Sequence, residues 1–126
     1  YSTTSFSRWV EVAENDEGTL MFIDLDSIRK DGNFIFIITM QDFTNSNPLP
    51  MGMNVLSSII HIKADCKTFR YKFLNIATYK YSMAESLIES KPSKNQDWRF
   101  IIPDSVMEET HKLACYAGKV KKGTNN

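Results

Sequence analysis

The stretch Ala64-Asp-Cys-Lys-Thr-Phe-Arg-Tyr-Lys-Phe73 decides how the chain is read. Cations alternate with rings behind a single cysteine, which suits three different objects: a nucleic-acid platform, a reactive thiol, or a half-buried strand held by a disulfide. Alternation has a period of two, so on a strand Thr68, Arg70 and Lys72 face one way and Phe69, Tyr71 and Phe73 the other. A base-stacking platform needs cations and rings on one surface. The spacing therefore favours a strand with one packed and one solvated face. Ile60, Ile62 and Ala64 share the parity of Cys66, opposite to that of Phe69, Tyr71 and Phe73. A turn near Asp65 to Lys67 that joins two strands in a hairpin is expected.

The flanks extend this pattern. Upstream, Arg8-Trp-Val-Glu-Val12 alternates as a short strand, and Thr19-Leu-Met-Phe-Ile-Asp-Leu25 reads as a second, stopped by the turn-rich Asp26–Asn33 segment. Phe34–Asp42 is apolar on both parities and is expected to be the most buried strand. Phe43–Asn54, with two prolines, is the longest expected loop, and a loop of that length is uncommon without a role. A strand resumes at Val55. Downstream, the strand from Phe69 is expected to run through Tyr79 and Tyr81; Ser82–Ser90 reads as a helical turn or an irregular excursion, Lys91–Asp97 as a polar loop and Trp98–Ile102 as a last short strand. Pro103–Lys119 carries a capping box, Ser105 with Glu108, and apolar residues at helical spacing, with Gly118 as the expected stop. The expected fold is α+β: an antiparallel sheet of about five or six strands with one C-terminal helix packed on it. Residues 9–118 form one domain, between a flexible lead at 1–8 and a disordered tail at 119–126.

Charge and composition exclude several classes. The chain has 126 residues, 42% of them hydrophobic, with 15 basic and 15 acidic residues and a formal net charge of zero. A dedicated nucleic-acid binder shows a basic excess, so no nucleic-acid partner is expected. No apolar run approaches the roughly 18 residues of a membrane span. The first residue, Tyr1, is not an initiator methionine, which leaves room for a removed signal peptide.

Catalytic signatures are absent from the sequence: it has no GxSxG, HExxH, GxxxxGK[ST] or GxGxxG. His61 and His111 have no sequence-local metal partners, and no cofactor is expected. Asp24 and Asp26 share a strand face as a carboxylate pair, with solvation at a strand end as the plainer alternative. The two cysteines, Cys66 and Cys115, admit three readings: separate buried thiols, a nucleophile with His111 four residues before Cys115, or a disulfide between sheet and helix. Placement suits the last, which would put the chain in an oxidising compartment. The surface residues singled out as a binding patch are Arg70, Lys72, Tyr79, Tyr81, Phe43, Met51 and Met53. A single helix covers one sheet face only, so a homodimer is expected.

The order Arg8–Val12, then Met21-Phe-Ile-Asp-Leu-Asp-Ser-Ile-Arg-Lys-Asp-Gly32, Met40-Gln-Asp-Phe43, a serine at Ser57 or Ser58, Asp65–Phe73, Tyr79, Asp97-Trp-Arg-Phe-Ile-Ile-Pro-Asp-Ser105 and Cys115 resembles the bacterial surface-adhesin protein E family, from about Trp9 to Tyr116. The resemblance implies a Cys66–Cys115 disulfide and an exported chain at the periplasm or outer surface, often with a lipid anchor upstream. It also implies a non-enzymatic dimer that binds host extracellular-matrix and serum proteins. Haem binding is ascribed to the family as well, so a periplasmic carrier of haem or lipid is the alternative expectation.

Overall fold

The computed structural model describes residues 8–124, with side chains up to residue 120. Residues 1–7 of the expected flexible lead, and 125–126 of the expected tail, lie outside the described residues.

Seven strands and one helix make up the described chain. They are β1 (Trp9–Glu14), β2 (Leu20–Asp31), β3 (Phe34–Asp42), β4 (Ser57–Asp65), β5 (Arg70–Tyr81), β6 (Glu85–Pro92), β7 (Arg99–Phe100) and α1 (Val106–Thr124). The sheet is an antiparallel meander in the order β1-β2-β3-β4-β5-β6, with β7 beside the first residues of β5. Short connections explain most of the order, because consecutive antiparallel strands close locally; the longer 43–56 loop joins β3 to β4. Ile35 and Ile37 of β3 and Ile60, Ile62 and Ala64 of β4 point to one face, where Ile23, Ile28 and Ala114 complete a buried cluster. Helix α1 lies against β1, β2 and β3 on that face.

The hairpin reading of Ala64–Phe73 holds, and the structure shows what shapes it. Asp65 accepts the amides of Lys67 and Thr68 on Oδ1, at 3.0 and 3.2 Å, and Arg70 on Oδ2 at 3.2 Å. Phe69, at φ 57°, closes the turn by donating its amide to the Asp65 carbonyl at 3.0 Å. Cys66, at the start of the turn, is bonded to Cys115 across a sequence separation of 49.

Three local expectations fail in whole or in part for identifiable reasons. Segment 26–31 is not a terminator: β2 runs through it to Asp31, with a register irregularity between Asp24 and Arg29. Asp24 stabilises that break, accepting the Asp26 amide at 3.0 Å and the Arg8 guanidinium at 2.6 Å; it is buried, not solvated. Segment 82–90 holds a short 3-10 turn, Ser82–Ala84, and then strand β6. The turn carries positive φ at Met83 and Ala84, and its amides are fixed by Asp42 Oδ2 at 3.0 Å and Ser57 Oγ at 2.9 Å. Finally, Gly118 does not stop the helix. α1 continues to Thr124, and Gly118 faces the sheet, where an added Cβ would sit 2.5 Å from Ile35 Cδ1. The glycine serves close packing of helix on strand.

Candidate functional site

Two faces of the sheet differ in kind. The helix face is apolar and closed by the disulfide, whereas the opposite face carries half-buried rings and cations. Register places them in rows: Arg29 of β2 pairs with Phe36 of β3, Phe36 with Lys63 of β4, and Lys63 with Lys72 of β5. A second row runs Asp31, Phe34, Asp65, Arg70 and Phe100. Trp98, just before β7, stacks on Phe34 with centroids 5.7 Å apart. The cations lie over these rings. Arg29 is 4.5 Å from the Phe36 centroid, Lys63 4.3 Å from Phe34, and Lys72 4.4 Å and Arg70 4.8 Å from Trp98. Each such contact orients a charge by the ring quadrupole and contributes about 0.5–1 kcal/mol at an exposed site.

This corrects one reading of the sequence. Strand parity does separate Arg70 and Lys72 from Tyr71 and Phe73, which pack against the core. Rings nevertheless share the cations' surface, because Phe34 and Phe36 arrive from β3, two strands away, and Trp98 from a distant loop. The pattern of β5 alone does not announce them.

The charges on this face are unequally matched. Asp65 is paired with Arg70; burial raises its carboxyl pKa, but hydrogen bonds from Thr68, Arg70 and Lys67 outweigh that and hold it down at about 2. Among the described residues, no carboxylate lies within 4.0 Å of Arg29, Lys63 or Lys72. Beside this row Ser27, Arg29, Phe36, Ile38, His61 and Leu74 line a shallow depression of about 310 Å³.

The residues singled out from the sequence do not form one patch. Arg70 and Lys72 sit at the start of β5 and Tyr79 and Tyr81 at its end, roughly 25–35 Å away at strand rise. Met51 and Met53, exposed in the 43–54 loop, belong to the Tyr79 end, where the Leu56 amide donates to the Tyr79 carbonyl. Phe43 is no surface residue: it is 2% exposed and anchors the loop, donating its amide to the Leu56 carbonyl at 2.7 Å. The sequence reading missed Arg29, Phe34, Phe36, Lys63 and Trp98; the cue was the alternation Phe34-Ile-Phe36, whose rings lie on the parity opposite to the buried isoleucines.

The thiol and histidine readings resolve together. Cys66 and Cys115 are joined, so neither is a nucleophile. His111 is buried, with Nε2 3.2 Å from the Asp65 carbonyl and Nδ1 3.7 Å from Cys115 Sγ, so it packs the disulfide against the hairpin turn. His61 lies on the other face. A cleft of about 170 Å³ between helix and sheet is lined by Asn15, Met21, Tyr71, Phe73 and Met107 among others, and neither histidine reaches it. No helix among the described residues is long and apolar enough to cross a membrane, and no group of three or more His, Cys, Asp or Glu is placed to hold a metal.

Comparison with known proteins agrees with this architecture. The backbone superposes on protein E of Haemophilus influenzae, crystal form II, with a TM-score of 0.64 at 13% identity, covering 90% of this chain and 91% of that one. Another structure of Haemophilus influenzae protein E gives a TM-score of 0.61 at 14% identity, covering 90% and 88%. Protein E from non-typeable Haemophilus influenzae gives 0.56 at 13% identity, covering 87% and 76%. No curated protein matches the sequence. The model of the family described as surface-adhesin protein E matches residues 9–116. The chain belongs to the surface-adhesin protein E family.

Proposed function

We propose that this chain is an exported, non-enzymatic binding module that attaches to a protein of the extracellular-matrix or serum kind at the cell surface. Family membership supports an adhesin-like binding protein. The observation that carries the finer reading is the asymmetry of the sheet: one face is closed by α1 and the disulfide, and the other holds half-exposed Phe34, Phe36 and Trp98 with three cations that have no carboxylate within 4.0 Å among the described residues. Rings and arginine set on a rigid sheet are what protein interfaces favour. The disulfide supports an oxidising compartment.

A homodimer belongs to this reading. Strand β6 is exposed along its whole length, with Leu87 and Ile88 at 58% and 51%, and an edge of this kind pairs readily with a second copy. Light scattering on the purified chain tests it; a monomer mass at high concentration contradicts it. The alternative, a periplasmic carrier of haem or lipid, rests on the helix–sheet cleft, which Tyr71 lines and neither histidine does.

Deleting the gene in its host tests the function. Attachment of cells to wells coated with matrix and serum proteins falls and is restored by the wild-type gene; unchanged attachment contradicts the reading.

A further inference from the structure

We infer that the helix-free face binds an acidic, apolar-anchored segment of a protein partner, with carboxylates on the row Arg29, Lys63 and Lys72 and an apolar side chain in the adjoining depression. The inference rests on the binding-module reading above and names the chemistry of its ligand.

Lys63 and Lys72 are directly opposed across β4 and β5, a placement that destabilises a sheet when nothing neutralises it. No described carboxylate does so. The next row holds Asp31 and Asp65, the latter already bound to Arg70. At about 4.8 Å per strand the cation row spans about 14 Å, the reach of about four residues of extended peptide.

The surroundings select among polyanions. A single-stranded nucleic acid needs free ring faces for its bases, but the faces of Phe34, Phe36 and Trp98 already carry Lys63, Arg29 and Lys72. A sulfated glycan supplies charge but no apolar side chain for the depression lined by Phe36, Ile38 and Leu74. A peptide that alternates carboxylates with apolar residues supplies both.

The test is fluorescence anisotropy with a labelled peptide carrying Glu and Leu in alternation with Ser, against counterparts with Gln for Glu or Ser for Leu. Heparin and oligo-dT serve as competing polyanions. The wild-type chain binds the Glu/Leu peptide saturably and more weakly as salt rises. The R29Q/K63Q/K72Q variant binds it about tenfold less tightly, the middle of the range that three exposed ion pairs give. K72Q alone loses part of the affinity, and K112Q, on the helix, binds as wild type. Helical circular dichroism confirms that each variant is folded. Absence of saturable binding, equal binding of the Gln or Ser peptide, an unaffected triple variant, or tighter binding of heparin or oligo-dT would each overturn the inference. The adhesin reading survives any of these if the deletion strain still loses attachment, so the two fail separately.

Discussion

Replacing both cysteines, C66A/C115A, removes the covalent tie between the β4–β5 turn and α1 while leaving no free thiol. The bond spans 49 residues, and restricting a loop of that length in the unfolded chain is worth about 4 kcal/mol. A chain of 126 residues has an unfolding entropy of about 0.26 kcal/mol/K, so the melting temperature falls by about 15 °C. The m-value in urea rises at the same time, because the unfolded chain without its cross-link exposes more surface. Thermal and urea melts followed by far-ultraviolet circular dichroism measure both. A fall of less than about 3 °C with an unchanged m-value would refute the reasoning. It would mean that the stripe of Ala114, Ala117 and Met107 holds the helix unaided.

Other perturbations separate packing from charge. G118A improves helix propensity by about 1 kcal/mol but drives a methyl into Ile35, an overpacking cost of about 1–3 kcal/mol, so the melting temperature should fall; a rise would show that the core yields there. Asp65, whose folded-state pKa is depressed to about 2, contributes stability that is fully present above the unfolded value near 4 and fades as pH falls toward 2. Urea midpoints taken from pH 5 to 2 should therefore decline more steeply for the wild type than for D65N, and parallel profiles would contradict the hydrogen-bonded turn. I23A, at a fully buried position, should cost about 2–5 kcal/mol in urea melts, and a loss under 1 kcal/mol would place the core elsewhere.

Much of the fold was legible because it is written in local periodicity. Phe34–Asp42, the Val55–Ala64 strand and the Ser105–Glu108 capping box each announce themselves within a few residues; half of the box forms as read, with Ser105 Oγ accepting the Glu108 amide at 3.1 Å, while Glu108 Oε1 accepts the Asp104 amide in place of that of Ser105. β6 was not legible, since every residue of Glu85–Pro92 is exposed and no apolar face marks it as a strand. The extension of β2 was hidden for a different reason: the Asp26–Asn33 composition is that of a turn, and the irregularity is bridged by the buried Asp24, held by Arg8, and by Ser27, whose Oγ donates to the Asp24 carbonyl and accepts the Ile38 amide. Gly118 looked like a helix terminator because the sheet that it packs against is invisible in the helix's own sequence. The candidate site was the least legible part. Lys72 stands out within its own strand, but Lys63 lies opposite it, and Phe36 beyond Lys63, only through register, and Trp98 comes from a loop more than twenty residues away. Phe43 failed as a surface residue because loop composition says nothing about which side chain turns inward.

The central claim is that this chain binds a protein partner. Surface plasmon resonance of the immobilised, oxidised chain against a panel of purified matrix and serum proteins tests it most directly. The account predicts saturable binding to at least one of them; a flat response across the panel, with the disulfide intact, would contradict it.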